Sequence, residues 1–190
     1  MEAQANGRAF LGLIRYVKQS HGAQGDLVLS LIVKNASPLV QQVFSERIRI
    51  QSWHPYQAFG DLLRAMDRKL GHGDPEFFQK VGALSGKLDI NSILKVYLSM
   101  ANPERLINSC GKVWESYYRN AGQMVAISTA PDNSVVRILD FPEMHPLHCS
   151  LMAGWMMATM QSLGLRLHGG EEVKCMHLGD PYHEFRGKWR

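Results

Sequence analysis

Apolar residues recur at helical spacing along the first two-thirds of the chain, and in the last third β-rich runs flank one long apolar helix. Leu11, Leu13, Ile14 and Val17 mark a short first helix. The run from Asp26 to Val33 is too short and too continuous to assign between buried strand and buried helix. Ser37-Pro38 reads as a cap followed by proline at the first helical position, opening a segment through Val43 and Phe44. Beyond Trp53-His54-Pro55, Phe59, Leu62, Leu63, Met66 and Leu70 keep a helical period, with Gly71 as the stop. Asp74-Pro75-Glu76 and Asn102-Pro103-Glu104 are two more starts built from a cap, a proline and an acidic first turn. The second leads into Leu106, Ile107, Cys110, Val113, Trp114 and Tyr117, a stripe of period 3.6.

The texture changes after Gly122. Residues 124–127 and 135–139 are short β-rich runs parted by Ala130-Pro-Asp-Asn133, which predicts a hairpin. Pro146 opens a helix carrying Cys149, Met152, Ala153, Met156, Met160 and Leu163 on one face, closed by Gly164. Two strands follow, roughly 165–176 and 182–189, turned at Gly179-Asp180-Pro181. The prediction is a single α+β domain over 1–190, a helical N-terminal half packed on an antiparallel sheet with a β-β-α-β-β C-terminal part. Residues 1–50 form a helical N-terminal extension of that domain.

Composition narrows the function classes. At 190 residues, 45% hydrophobic and 20% charged, the chain can bury a sizeable core. The net charge of +4 comes from scattered Lys and Arg, so no nucleic-acid partner is expected. No apolar stretch approaches a membrane span, and the first residues do not read as a signal peptide. Three cysteines without an export signal point to reduced thiols and a cytoplasmic location.

The densest chemistry lies near the C-terminus. Cys149, Glu172, Cys175 and His183 are two thiols, a carboxylate and an imidazole, the donor types that tetrahedral zinc accepts. A closed four-donor site staples a fold, because no position is left for water or substrate. Residues 172 and 175 are three apart, so in a regular strand they face opposite ways. They can share an ion only if the strand bulges or ends between them. The alternative is a buried cysteine pair with a surface Glu172 and an edge His183. His145, His148 and Cys149 form a second cluster that could join His177, or simply a polar helix start. Gly82-Ala-Leu-Ser-Gly-Lys-Leu88 lacks the spacing and the hydroxyl of a phosphate loop. Cys110 reads as a small core residue. There is no Ser-His-Asp arrangement, nucleophile elbow or supported carboxylate pair, so no enzyme is expected.

Cys149 before an apolar helix, then Glu172-x-x-Cys175, Gly179-Asp180 and His183 before an aromatic-bearing last strand, resemble the 4-vinyl reductase domain. That domain belongs to the ligand-binding fold shared with haem–nitric oxide sensors and with small subunits of vesicle-tethering complexes. The stretch from Trp53-His54-Pro55 to the end also resembles a family of uncharacterised myxobacterial proteins of about this length. The resemblance covers roughly the last 140 residues. It implies a structural zinc on Cys149, Glu172, Cys175 and His183, with His183 standing where phenol-responsive members carry a cysteine. The Tyr-x-Ser-x-Arg signature of the haem sensors is absent, so no haem is expected. Phe59, Trp114, Tyr117, Tyr118, Met152 and Met156 are candidates to line a pocket for an apolar small molecule, and would serve equally as plain core. Ser128 and Gly170 are small where phenol sensors carry pocket aromatics. The expected function is a non-catalytic cytoplasmic sensory or signalling module. The alternative is a dimeric protein-interaction scaffold with a vestigial cavity.

Overall fold

The computed structural model describes residues 1–90, 107–130, 132–162 and 164–190. Helices α1 (Gly7–His21), α2 (Gly25–Lys34), α3 (Pro38–Ser45), α4 (Tyr56–Met66) and α5 (Phe77–Ile90) make up the N-terminal half. Helix α6 (Cys110–Tyr117) leads into strands β4 (Gln123–Ala130) and β5 (Asn133–Leu139). Helix α7 (Pro146–Ser162) precedes β6 (Leu167–Lys174) and β7 (His183–Trp189). The four strands pair antiparallel in the order β4-β5-β7-β6. The α+β architecture with a β-β-α-β-β C-terminal part is therefore what the hydrophobic pattern implies.

The caps act as their residue types dictate. Ser37 accepts a hydrogen bond from the Val40 N–H at the start of α3, and Asn6 accepts one from Arg8 N–H at the start of α1. The Asp74 carboxylate accepts from Glu76 N–H just before α5. The undecided run 26–33 is helical, because its residues pack as α2 against α1 and α4. The start at Asn102-Pro103-Glu104 lies outside the described residues. Helix α4 ends in a wide turn, Asp67–Gly71, and the left-handed residue that stops it is His72, one position past the expected Gly71.

A second sheet was not visible in the pattern. Strands β1 (Gln4–Asn6), β2 (Trp53–Pro55) and β3 (Tyr118–Arg119) pair antiparallel in the order β2-β1-β3. Strands of two or three residues are too short to display a period of two. Phe10, Leu13, Val17, Ile32 and Val40 from the first helices share one buried cluster with Phe59, Leu62, Ile138 and Phe141.

Helix α7 is the pivot of the fold. One side lies on the sheet, and the other crosses α5 so closely that only glycine fits. A Cβ at Gly82 would come 1.9 Å from the Leu151 carbonyl oxygen, and one at Gly154 would come 2.0 Å from that of Gln79. The glycines that superficially suggested a phosphate loop are thus a helix-crossing surface. Among the described residues, no helix is long and apolar enough to cross a membrane.

Candidate metal centre and ligand cavity

Cys149, Glu172, Cys175 and His183 converge, each offering one donor atom, with all four donors within 4.8 Å of one another. Among the described residues this is the one group of three or more such side chains able to share an ion. Strand register explains the convergence. Glu172 pairs with Phe185 across β6 and β7, and His183 lies two residues from Phe185, so the three share the face toward α7. The register then shifts between Glu172 and Lys174, and β6 ends before Cys175. The bulge and the strand end meet the geometric demand set by the three-residue spacing. Cys175 is held in place by its backbone N–H donating to the Asp180 carboxylate at 2.9 Å. Cys149 arrives from the first turn of α7.

One of the separations matches a tetrahedral ion, and another is that of a hydrogen bond, which an ion would have to replace. Donors about 2.0–2.3 Å from a tetrahedral ion lie roughly 3.3–3.8 Å from each other. Cys149 Sγ and His183 Nδ1 are 3.5 Å apart, and His183 Nδ1 lies 2.9 Å from Glu172 Oε1. His183 Nε2 is buried and has no hydrogen-bond partner among the described residues, so the ring's hydrogen bonding there runs through Nδ1. Burial, reinforced by Glu172 and Cys175, pushes the Cys149 thiol far up, and burial pushes Cys175 up as well. Both thiols are neutral without an ion, so a metal that binds here must displace their protons.

The second cluster does not assemble. His177 Nε2 hydrogen-bonds the Met144 carbonyl, and His145 Nδ1 accepts from Leu147 N–H. His148 is not part of a polar helix start but is fully buried. Its Nδ1 meets the Tyr56 hydroxyl at 2.9 Å and its Nε2 the Tyr118 hydroxyl at 2.8 Å, and its ring stacks on Trp114. Burial, aided by the nearby His183 and His145, pulls its pKa down to about 3, so the ring is neutral. Nothing in the sequence signalled that Tyr56 and Tyr118 would bracket this ring.

Five of the six candidate ligand residues, Phe59, Trp114, Tyr117, Tyr118 and Met152, line one cavity between α1, α6 and α7. It is narrow, leaving about 40 Å³ to the centre of a water molecule, and it opens to solvent. Met156 does not line it; it faces two neighbouring recesses between α7 and the sheet, one of them beside Gly170. Phe59, Trp114, Tyr118 and Met152 are also part of the buried core, so pocket wall and core are the same side chains here. Trp155, Arg8 and Ser85 line the cavity as well. Cys110 is half-buried beside the Met124 carbonyl, and burial pushes its thiol up to about 11.

Comparison with known proteins is informative for the fold alone. No protein-family model matches the chain. No curated protein matches it. Solved structures do match over nearly its whole length. An H-NOX protein from Shewanella oneidensis in the Fe(II)NO state superposes with a TM-score of 0.75 at 11% identity, covering 97% of this chain and 99% of that one. An unliganded Fe(II) H-NOX protein from K. algicida gives a TM-score of 0.70 at 12% identity, covering 97% and 96%. A doubly substituted Tt H-NOX gives 0.67 at 13%, covering 97% and 95%. The chain has the fold of these H-NOX domains.

That likeness overturns one expectation. Zinc with haem excluded was the cofactor set inferred from the sequence, and the exclusion rested on one absent motif. Haem is not excluded: the fold is that of Fe(II) H-NOX domains, and His148 is a buried imidazole within an aromatic cluster. A short signature reports one way of holding a cofactor, whereas fold and buried donors report whether a place for it exists.

Proposed function

We propose that the chain is a non-catalytic sensory module that binds an apolar small molecule in the cavity between α1, α6 and α7. The observation that carries this reading is the seating of α7. Its first turn brings Cys149 into the four-donor cluster, while Leu151, Met152 and Trp155, up to two turns further on, line the cavity. One divalent ion on Cys149, Glu172, Cys175 and His183 clamps the start of the helix to both strands of the terminal hairpin. A ligand in the cavity then bears on a helix whose end is fixed, and the response passes to α5 through the glycine crossing. Apolar cavities with few polar groups are the usual small-molecule sites, and methionine lets such walls adapt. The test is hydrogen exchange of metal-loaded protein with and without millimolar benzyl alcohol. The reading expects slower exchange over residues 151–160 and little change over 146–150. Unchanged exchange throughout α7 contradicts it.

His148 supports a second reading, in which the module holds haem. Haem would supply an iron centre able to bind a diatomic gas, and His148 is the buried imidazole that would hold it. The donor type fits, but both ring nitrogens are taken by Tyr56 and Tyr118. Coordination through His148 requires one of those hydrogen bonds to open. Haem uptake by Tyr118→Phe, compared with the parent chain, tests this reading.

A further inference from the structure

Arg8 lines the same cavity, and neither the metal cluster nor the apolar contacts give it a role. It sits in the first turn of α1, where Asn6 fixes its backbone N–H. Its guanidinium carbon lies 5.5 Å from the centroid of the Tyr117 ring. Its Nε is buried and meets no hydrogen-bond acceptor among the described residues. The described residues of the cavity wall include no acidic side chain. Ser85, a buried residue, puts a hydroxyl on the same cavity wall beside Gly12, where a Cβ would approach its Oγ to 3.0 Å.

Guanidinium stays charged at any ordinary pH, and its planar fork matches a carboxylate. A buried N–H of such a group without an acceptor is costly, and the Tyr117 ring attracts the charge but accepts no hydrogen bond at Nε. A neutral apolar ligand would deepen that cost by excluding water. An anionic one would relieve it.

We propose that the cavity takes an organic carboxylate, its apolar body among Phe59, Trp114, Met152 and Trp155 and its anionic group on Arg8. This rests on the cavity reading above and adds the ligand's charge. Ser85 is the second polar contact available to the carboxylate.

The experiment compares benzoate with its neutral isostere benzamide by calorimetric titration of the full-length protein, then repeats both with Arg8→Gln. Benzoate is expected to bind at least tenfold more tightly than benzamide, and Arg8→Gln should erase that preference while leaving benzamide unchanged. Equal binding of the two probes to the parent protein overturns the anionic assignment and leaves the apolar cavity standing. Binding of neither overturns both. Should Arg8→Gln fail to fold, Arg8→Lys keeps the charge without the fork and should retain only part of the benzoate preference. A lysine variant with full preference supports simple charge pairing, and one bound equally by both probes overturns the assignment.

Discussion

His183 Nδ1 lies 2.9 Å from Glu172 Oε1 even though the strand register places Phe185, not His183, opposite Glu172. The diagonal contact follows from the face that Glu172, Phe185 and His183 share, and the shift of β6 directly after Glu172 turns Cys175 onto that face. A regular hairpin would have kept Glu172 and His183 together but turned Cys175 to the other face.

If the cluster holds an ion as proposed, its binding becomes part of folding, since the four donors span positions 149 to 183 and are not gathered in the unfolded chain. Cys175→Ser is expected to lower stability by ~2–5 kcal/mol, the range seen when a structural cross-link is lost. Glu172→Gln should cost less, because it keeps an oxygen donor and removes only the charge. Urea melts of the three proteins check the order; equal midpoints would show that the cluster is ordinary core.

The α5–α7 crossing predicts a stability effect independent of any ligand. Gly154→Ala places a methyl 2.0 Å from the Gln79 carbonyl oxygen, so the helices must separate. The expected loss is ~1–3 kcal/mol. Gly169→Ala, where a Cβ meets nothing within 4 Å, serves as the control and should change little. Comparable losses at both positions would mean that the crossing is looser than described.

Alkaline stability should depend on Cys110. Burial raises its thiol from 9.0 to about 11, so between those values the unfolded chain has released a proton that the folded chain retains. The contribution is present below pH 9 and lost as pH rises toward 11, by the linkage of proton binding to folding. For a half-buried group the effect is on the order of 1–2 kcal/mol after solvent screening. Melts at pH 8 and 10.5 should show a smaller alkaline loss for Cys110→Ala than for the parent. An identical loss would show that this thiol ionises alike in both states.

Release of His148 is the condition for its use as an iron ligand. Tyr118→Phe removes the hydroxyl 2.8 Å from Nε2 and leaves the ring otherwise packed against Trp114. Titration with hemin should give a stronger Soret band for this variant than for the parent. A further His148→Ala change should abolish the gain. No difference among the three would remove His148 as the coordinating residue.

Local patterns made much of this molecule legible. Capping chemistry at Ser37, the aromatic and methionine stripes and the donor types at residues 149, 172, 175 and 183 are written in short segments. The three-residue spacing of Glu172 and Cys175 even carried the demand for a bulge. Long-range contacts were hidden. His148 stands among helix-starting residues in sequence, and only the packing of Tyr56 and Tyr118 buries it. The strands around Gln4, Trp53 and Tyr118 are too short to signal themselves. Met156 shares a helical stripe with Met152 but falls beyond the cavity, since four residues along α7 carry it past Trp155 toward the sheet. Arg8 had no pattern at all, because its meaning comes from what its neighbours lack.

The most direct test of the central claim, that α7 is clamped to the terminal hairpin by one ion, is native mass spectrometry with elemental analysis of chelator-free protein. The account predicts one divalent metal, zinc being the first ion to assay, per chain in the parent protein and none in Cys175→Ser. It also predicts a lower melting temperature once chelator removes the ion. Metal-free, fully folded parent protein whose melting temperature ignores chelator would contradict it.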